Sequence, residues 1–342
     1  MNSALEETIM KFKSLRFCVA ACLAVFVSQI PVASAAENKV FRTEVHPIAT
    51  LTLSDNEMLS GKKDGTASTI AGTLNIPKKT KDKLPAVIIL HGSSGPGGTN
   101  GPSDAWVREL NALGVATLAI DALSGRGLTS LGGNQAALGR LAMIVDSYRA
   151  LGILAKHSRI DPNRIALLGL SRGGQAALYA SMKRMHDSFA SEGTGFAAFI
   201  ATYPNCVSKY RDDGVTTGKP VRILHGAEDD YNPMAPCKAF VERAKTAGAD
   251  IELFEYPGGE HGFDLAFLSG RGTINCKSCQ TGRSCKVAEN GQGVLMNLET
   301  NKPFAYDDAC VQKGTTIAYH PTEGPKARAK AASILKEVFG LK

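Results

Sequence analysis

Short, uninterrupted apolar runs alternate along this 342-residue chain with longer stretches whose apolar residues recur at helical spacing. The runs typical of strands are residues 84–90, 115–120, 165–170, 196–202, 221–224 and 251–256. The stretches typical of helices are residues 104–113, 134–156, 175–180, 235–247 and 326–339. Strands that are apolar on both faces and alternate with helices are characteristic of a buried parallel sheet. The pattern therefore predicts a doubly wound, mostly parallel α/β sheet with helices on both faces.

The region before the first buried strand has a different pattern. Residues 50–53 and 70–76 are strand-like, and the polar stretch 61–65 lies between them. Two such runs joined by a polar connection predict an antiparallel hairpin at the start of the sheet.

The N-terminal residues have the pattern of a targeting segment. Basic residues at positions 11–16 precede the apolar run 17–30, and Ala33-Ser34-Ala35 provides the small residues that a signal peptidase recognises. We therefore expect residues 1–35 to be a signal peptide, cleaved before Ala36, and residues 36–342 to form a single domain. The exported protein would be periplasmic or secreted.

The composition is that of an ordinary globular protein, with 44% hydrophobic and 21% charged residues and a formal net charge of +7. No block of basic residues is interleaved with aromatic residues, so nucleic-acid binding is not supported. Beyond the signal peptide, no apolar run is long enough for a stable membrane span. The oligomeric state stays open.

Cysteine usage agrees with export. Cys18 and Cys22 leave with the signal peptide, and an even number remains: Cys206, Cys237, Cys276, Cys279, Cys285 and Cys310. An even number of cysteines in an exported protein favours disulfides. The alternative is a zinc site built on the C-x-x-C pair at residues 276–279 with the two cysteines that follow it.

Two of these cysteines allow a sharper prediction. Cys206 and Cys237 each follow one of two successive strands, and neighbouring parallel strands bring such positions close enough to form a disulfide. We expect the other four to cross-link the segment 268–317, in a pairing that the sequence leaves open.

The motif Gly169-Leu170-Ser171-Arg172-Gly173 lies between an apolar strand and a helix. This strand-turn-helix context is the one in which G-x-S-x-G presents a nucleophilic serine, because small residues are needed where the turn crowds the backbone. Chance occurrence in a glycine-rich loop is the alternative. The sequence predicts Ser171 as the nucleophile.

A nucleophilic serine needs a base, and the base needs an acid that orients it. In hydrolases with this turn, the acid and then the histidine follow the serine along the chain. His261 lies just beyond the last strand and is the predicted base, whereas His225 and His320 are the weaker alternatives. His157 and His186 are interpreted as helix ends facing solvent.

Two neighbouring carboxylates are candidates for the acid. Asp229 and Asp230 both follow the strand 221–224, and only one of them can face the imidazole. Asp229 is the predicted acid and Asp230 is the alternative. The explanation without a catalytic role is that both belong to an acidic loop exposed to solvent.

Backbone N–H groups are expected to stabilise the oxyanion that forms during acyl transfer. The chain turns sharply after the strand 84–90, and the N–H of Ser93 would join that of Arg172 at the start of the helix. Ser94 is the alternative second donor. A phosphate-binding loop is disfavoured because the lysine and spacing of a P-loop are missing.

Together these motifs resemble the dienelactone hydrolase family of the α/β-hydrolase superfamily. The resemblance rests on His91-Gly92-Ser93-Ser94-Gly95, Asp161-Pro162-Asn163-Arg164-Ile165, Gly169-Leu170-Ser171-Arg172-Gly173-Gly174, His225-Gly226 with Asp229, and His261-Gly262-Phe263. It covers about residues 66–261 and resumes at residues 319–321 and the last helix. It implies an α/β-hydrolase fold.

Two features depart from the family pattern. Members that open dienelactones use a cysteine nucleophile, whereas this chain has Ser171, so lactone specificity is not implied. The segment 268–317 is longer than the pattern needs and is predicted to be a disulfide-stapled, Cys-rich insertion before the last helix. Because it begins shortly after His261, we expect it at the mouth of the site, as a lid or specificity loop.

The residues and the resemblance together predict an exported serine hydrolase that cleaves carboxylic esters or lactones through an acyl-enzyme intermediate. Arg126 is a candidate for binding a substrate carboxylate, and Tyr203 and Tyr231 are candidates for lining the substrate pocket. The chemistry requires no metal or organic cofactor, and the expected partner is a small-molecule ester.

Two other functions are compatible with parts of the pattern. A serine peptidase of the prolyl-oligopeptidase type shares such a catalytic domain, but propeller repeats are not visible in the sequence. A non-catalytic binding protein on the same scaffold is less consistent with the presence of Ser171, Asp229 and His261 together.

Overall fold

The computed structural model describes residues 40–78, 82–97 and 100–341. The predicted signal peptide and its cleavage site before Ala36 lie outside the described residues. The described residues belong to one compact unit. Within the described ranges, no helix combines the length and apolarity needed to cross a bilayer.

The strands, in chain order, are β1 (Arg42–Thr52), β2 (Thr66–Ile76), β3 (Leu84–Leu90), β4 (Ala116–Asp121), β5 (Ile160–Leu170), β6 (Phe199–Thr202), β7 (Ser208–Lys209), β8 (Val221–Gly226), β9 (Ile251–Tyr256), β10 (Ile274–Thr281), β11 (Val287–Glu289), β12 (Leu295–Asn297), β13 (Lys302–Pro303) and β14 (Gln312–Ile317). The helices are α1 (Asp55–Leu59), α2 (Asp104–Ala112), α3 (Ala142–Ala155), α4 (Arg172–Ala180), α5 (Lys183–Phe189), α6 (Met234–Thr246) and α7 (Glu323–Phe339).

The central sheet has the order β1-β2-β4-β3-β5-β6-β8-β9. From β4 to β9 all neighbouring strands run parallel, and only β2 is antiparallel to both of its neighbours. The predicted fold class is therefore confirmed. In such a sheet, side chains that follow the parallel strands meet at the carboxyl ends of the strands.

The entry hairpin is also confirmed, since β1 pairs with β2 from Arg42 opposite Ile76 to Thr52 opposite Thr66. The polar connection contains α1, which the pattern did not predict. Ser54 caps this short helix in a reciprocal arrangement with Glu57, so both side chains satisfy backbone N–H groups of the first turn.

The two faces of the sheet are covered by different helices. Along β3, Ile88 and Leu90 pack into an apolar cluster with α3, whereas Val87 and Ile89 pack into another with α2 and α7. This alternation is the two-residue period of a strand. Because both faces are covered, every residue of β3 is buried and the run is apolar without interruption.

The predicted helix over residues 134–156 is wrong in its first part. The structure has a 3₁₀ turn at Gln135–Ala137, and α3 begins only at Ala142. Gly139 packs against the chain just after β1 so closely that a Cβ there would lie 2.8 Å from the carbonyl oxygen of Leu53. This tertiary contact keeps the segment out of the helix.

The segment 268–317 is not a structureless loop, because it contains five short strands. β10 and β14 form an antiparallel pair, and β11, β12 and β13 form a small sheet whose fourth strand is β7. Along the sequence, β7 comes after β6 and before β8. It pairs with β11 in parallel. The insertion is thus joined to the hydrolase domain by backbone pairing.

Three disulfides are present among the described residues. Cys206 is bonded to Cys237, as predicted from their positions after neighbouring strands. Within the insertion, the C-x-x-C pair of residues 276 and 279 forms one disulfide, and residues 285 and 310 form another. The four cysteines of the proposed zinc site are therefore bonded in two pairs, and the zinc alternative is wrong.

Candidate active site

Ser171 lies in the tight turn between β5 and α4. Its backbone has φ 54° and ψ −110°, a region that residues other than glycine rarely adopt. A Cβ at Gly169 would overlap the backbone of Gly173, and one at Gly174 would lie 2.5 Å from the carbonyl oxygen of Thr202. Only glycine fits at these positions, which explains the G-x-S-x-G-G sequence physically.

Three side chains from three loops meet at the carboxyl ends of β5, β8 and β9. His261 Nε2 lies 2.9 Å from Ser171 Oγ, and His261 Nδ1 lies 2.8 Å from Asp229 Oδ2. His261 and Asp229 are buried, whereas Ser171 is half-buried and can be reached from solvent. With the imidazole proton on Nδ1, the serine hydroxyl donates to Nε2.

The two adjacent carboxylates have different partners. Oδ1 of Asp229 accepts from the N–H groups of Tyr231 and Asn232, which fixes the carboxylate toward His261. Asp230 points away and accepts from the N–H and hydroxyl of Thr316 in β14. Asp229 is thus the carboxylate beside the imidazole, and Asp230 ties the insertion to the loop after β8.

The other histidines have other contacts. His225 is buried, its Nδ1 donates to the carbonyl of Gly226, and burial lowers its pKa. His320 Nδ1 accepts from the N–H of Glu323 at the start of α7. His157 and His186 are partly buried rather than fully solvent-facing.

The ring of His261 lies between two tyrosines. Its centroid is 4.8 Å from that of Tyr203 and 4.6 Å from that of Tyr231. The hydroxyl of Tyr203 donates to Oδ1 of Asp264, and the indole N–H of Trp106 donates to Oδ2, each at 2.7 Å. Burial raises the pKa of Asp264. This buried network fixes the ring of Tyr203 and thereby the plane on which the imidazole packs.

The loop after β3 lies directly against the serine. A Cβ at Gly92 would be 3.1 Å from Ser171 Cβ. Within the described residues, neither the N–H of Ser93 nor that of Arg172 has a backbone acceptor, which is expected for a tight turn and for the first residue of a helix. His91 supports this loop, since its Nδ1 donates to the carbonyl of Gly92 and its Nε2 accepts from the N–H of Ala122. Burial lowers the pKa of His91.

Two cavities meet at Ser171. The larger one, which we call the apolar chamber, has a volume of about 400 Å³. Its walls include His261 and the apolar side chains of Leu265, Phe267, Leu268, Ile274 and Ile317. The smaller one, the polar cavity, has a volume of about 30 Å³. Its walls include Gln135, Arg140, Arg172, Gln175, Asn205 and Tyr306.

Both predicted pocket tyrosines line the apolar chamber, and Tyr231 also lines the polar cavity. Gln135 Nε2 donates to the hydroxyl of Tyr231 at 3.1 Å, and burial raises the pKa of Tyr231 to about 12. The phenol is therefore neutral at physiological pH.

The prediction that Arg126 binds a substrate carboxylate is wrong. Its side chain is 4% exposed and forms a bidentate ion pair with Asp146 of α3 at 2.8 and 2.9 Å. Its Nε donates to the hydroxyl of Thr52 in β1. The guanidinium ties the loop after β4 to α3 and β1, and it does not line either cavity.

One group of described residues outside the site has the composition of a metal site. Glu44 and His46 of β1 and His157 after α3 place one ligand atom each within 4.8 Å of one another. Both imidazole Nε2 atoms lie within hydrogen-bond distance of Glu44 Oε2, at 2.9 and 3.2 Å. His157 Nδ1 accepts from the N–H of Arg159, so its proton is on Nε2. The three side chains thus form a hydrogen-bonded cluster at the edge strand.

Sequence reasoning missed several side chains of the polar cavity, among them Gln135 and Arg140. Arg140 and Gln135 fall in the stretch that was predicted to be helical, where they resemble solvent-facing residues of an amphipathic helix. Gly132, Gly133 and Gly139 within one short stretch are the signal that this helix could not start at residue 134.

A model of the dienelactone hydrolase family matches residues 70–267, which is more than half of the chain. A search of curated protein sequences found no match. The matched region contains Ser171, Asp229 and His261, and the insertion begins where the match ends.

Two solved structures illustrate the similarity. One is a putative dienelactone hydrolase from Klebsiella pneumoniae subsp. pneumoniae MGH 78578, with a TM-score of 0.50 and 18% identity over 66% of this chain and 91% of that chain. The other is a dienelactone hydrolase-like promiscuous phosphotriesterase from metagenomic libraries, with a TM-score of 0.50 and 14% identity over 86% of this chain and 98% of that chain. At these identities the likeness shows the fold. Because the family model covers more than half of its length, the chain belongs to the dienelactone hydrolase family of the α/β-hydrolase superfamily and is a carboxylic ester hydrolase.

Proposed function

We propose that this protein is an exported serine esterase that hydrolyses carboxylic esters or lactones with Ser171 as nucleophile, His261 as base and Asp229 as the acid that orients it. The observation that carries the proposal is the pair of short distances around the imidazole, 2.9 Å to the serine and 2.8 Å to the carboxylate. These are the distances at which a base can take the proton of the attacking hydroxyl.

In the proposed reaction, Ser171 Oγ attacks the ester carbonyl carbon while His261 Nε2 accepts the hydroxyl proton. The carbonyl oxygen becomes an oxyanion beside the N–H groups of Ser93 and Arg172, with Ser94 as the alternative to Ser93. His261 returns the proton to the leaving alkoxide, and the acyl group stays on the serine. Water, deprotonated by the same imidazole, then releases the acid and restores the serine.

Replacement of the nucleophile tests the proposal directly. Ser171→Ala is expected to lower kcat for a p-nitrophenyl ester by roughly 10⁴-fold or more, because the step that forms the acyl-enzyme is removed. Circular dichroism should show an unchanged fold. The wild-type protein should react stoichiometrically with a fluorophosphonate probe, and the variant should not.

Near wild-type turnover in Ser171→Ala would rule out this mechanism. Absence of labelling in the wild-type protein would favour a non-catalytic binding protein. Preference for dipeptide amides over esters would favour a peptidase.

Export is the second part of the proposal. It is supported by the N-terminal pattern of residues 1–35 and by three disulfides, which persist in oxidising compartments. Expression of the full chain in a Gram-negative host should give a periplasmic protein that begins at Ala36. Its intact mass should be that of residues 36–342 less the six hydrogens of three disulfides. A cytoplasmic protein that retains the first residues, or one with free thiols, would argue against export.

A further inference from the structure

The apolar chamber and the polar cavity lie on two sides of Ser171. Among the described residues, His261 lines the chamber and not the polar cavity, whereas Arg172 lines the polar cavity and not the chamber. Ser93 and Tyr231 contribute to both walls. The imidazole and the first residue of α4 therefore mark the two sides, and a substrate bound at the serine has one space on each.

The position of the imidazole decides which side takes the alcohol part of an ester. When the tetrahedral intermediate collapses, the bond from the carbonyl carbon to the alcohol oxygen breaks. The electron pair stays on that oxygen, which takes the proton that His261 Nε2 accepted from Ser171. This transfer needs the alcohol oxygen within hydrogen-bond distance of Nε2. Because His261 lines the chamber and not the polar cavity, the alcohol lies in the chamber and the acyl group lies toward the polar cavity.

The two spaces differ in size by more than tenfold. The chamber has a volume of about 400 Å³, and an apolar cavity of about 150 Å³ already holds a benzene ring. The polar cavity has a volume of about 30 Å³, and a site for one water needs about 10–15 Å³. The chamber therefore accommodates an alcohol of about six or more carbons, whereas the polar cavity admits an acyl chain of about two or three atoms.

The walls of the chamber suit an alcohol that is apolar and uncharged. The apolar side chains in these walls are those of Leu265, Phe267, Leu268, Ile274 and Ile317. Among the described residues, no carboxylate lines the chamber, and the arginine in its wall, Arg271, is exposed. The side chain of Ile274 is 36% exposed although it is apolar. An apolar ligand would remove this side chain from water, which is favourable in proportion to the area buried.

Part of the chamber belongs to the insertion. Its walls include residues beyond 267, where the match to the family model ends, among them Leu268, Ile274 and Ile317. The disulfide between Cys276 and Cys279 also lines the chamber, and it spans the irregular part of the pairing between β10 and β14. The chamber is thus a feature of this chain and not of the matched region alone.

We infer that the enzyme cleaves esters of a short acyl group with a bulky, uncharged, apolar alcohol, and that this alcohol binds in the apolar chamber. The inference rests on the proposed function, because it takes Ser171 as the nucleophile and His261 as the group that protonates the leaving alcohol. Esters of a long acyl chain with a short alcohol carry their apolar part on the other side and are poor substrates. The side of the ester bond that carries the apolar group thus defines the substrate class.

The test compares pairs of isomeric esters with the wild-type enzyme. Hexyl acetate and ethyl hexanoate have the same atoms and differ in the side of the ester bond that carries the long chain. Benzyl acetate and methyl phenylacetate form a second pair. Titration of the released acid at constant pH gives kcat/KM, which is divided by the rate constant for hydrolysis of the same ester by hydroxide to correct for intrinsic reactivity. We expect the corrected kcat/KM of each acetate to exceed that of its isomer by about tenfold or more.

A series of acetates measures the contribution of the chamber. The value of kcat/KM reports on the reaction up to formation of the acyl-enzyme, while the alcohol is still attached. From ethyl to butyl to hexyl acetate it should rise by up to about fourfold per methylene, because each methylene leaves water for an apolar space. From ethyl acetate to ethyl butanoate to ethyl hexanoate it should fall, because the longer acyl chain exceeds the polar cavity.

Two variants locate the alcohol. Phe267→Ala removes an aromatic ring from the wall of the chamber, and the ratio of kcat/KM for hexyl to ethyl acetate should fall by about fivefold or more. The matched control is Phe41→Ala, because Phe41 is 53% exposed, precedes β1 and lines neither cavity. This variant should keep the wild-type ratio.

The possible results separate the two proposals. Hydrolysis of none of these esters would contradict the proposed function. Equal corrected kcat/KM for the two isomers, or a higher value for ethyl hexanoate, would overturn the inference alone, whether or not Phe267→Ala folds. A folded Phe267→Ala that keeps the wild-type ratio of hexyl to ethyl acetate would also overturn it, because the alcohol would then bind outside the chamber.

Discussion

At the scale of single residues, the neighbouring carboxylates after β8 show how the site separates roles. Asp229 faces His261 because its other oxygen is held by two backbone N–H groups of the same turn. Asp230 lies on the opposite side of the chain and holds Thr316 of the insertion. Two adjacent aspartates therefore have unrelated contacts, one with the imidazole and one with the wall of the apolar chamber.

This difference gives a matched pair of variants. Asp229→Asn is expected to lower kcat by roughly 10³–10⁴-fold, because an amide no longer stabilises the imidazolium and favours the wrong tautomer of His261. Asp230→Asn keeps one acceptor oxygen for Thr316 and should change kcat by no more than about threefold. Steady-state hydrolysis of a neutral p-nitrophenyl ester measures both. Equal losses in the two variants would contradict the assignment of Asp229.

The placement of motif residues could be predicted, because a motif requires a given residue type at a given place in a turn. Ser171 and His261 are of this kind. Arg126 is not, since its partner is a carboxylate on α3 that only the folded structure brings within 2.8 Å. Arg140 was missed for the converse reason, because its burial in the wall of the polar cavity is a property of tertiary packing.

At the scale of elements, the buried strands were predictable because burial on both faces imposes continuous apolar runs. The start of α3 was not, since it depends on the contact of Gly139 with the chain at Leu53. The strands of the insertion were also not predictable. β11, β12 and β13 have two or three residues each, which is too few to show the two-residue period of a strand. The pairing of β11 with β7 also involves a distant part of the sequence.

At the scale of the whole molecule, two buried histidines couple stability to pH. His91 follows β3 and His225 is in β8, and burial lowers the pKa of both below the ordinary value of 6.5. As the pH falls below 6.5, the unfolded chain binds protons at these positions before the folded protein does. Neutral imidazoles therefore stabilise the fold above this pH, and the stabilisation is lost on acidification.

We expect the free energy of unfolding to fall between about pH 7.5 and pH 5.5. Its slope should approach about 1.4 kcal/mol per pH unit for each of the two imidazoles once the pH is well below 6.5. Urea unfolding at a series of pH values measures this. In His225→Asn, where the amide N–H can replace Nδ1–H as donor, the slope should be smaller by the contribution of one group. A wild-type stability that does not change over this interval would show that neither imidazole is protonated on unfolding.

The antiparallel pairing of β10 with β14 closes the base of the insertion. Ile274 lies opposite Ile317, and the N–H of Ala318 donates to the carbonyl of His261 at 3.1 Å. The insertion thus begins and ends close to the loop that carries His261. Segments with adjoining ends can be exchanged with little disturbance of the remaining backbone. Because side chains of the insertion line the apolar chamber, we expect an exchange of the insertion at this junction to change the shape of that chamber, which makes the junction a place for divergence and for engineering.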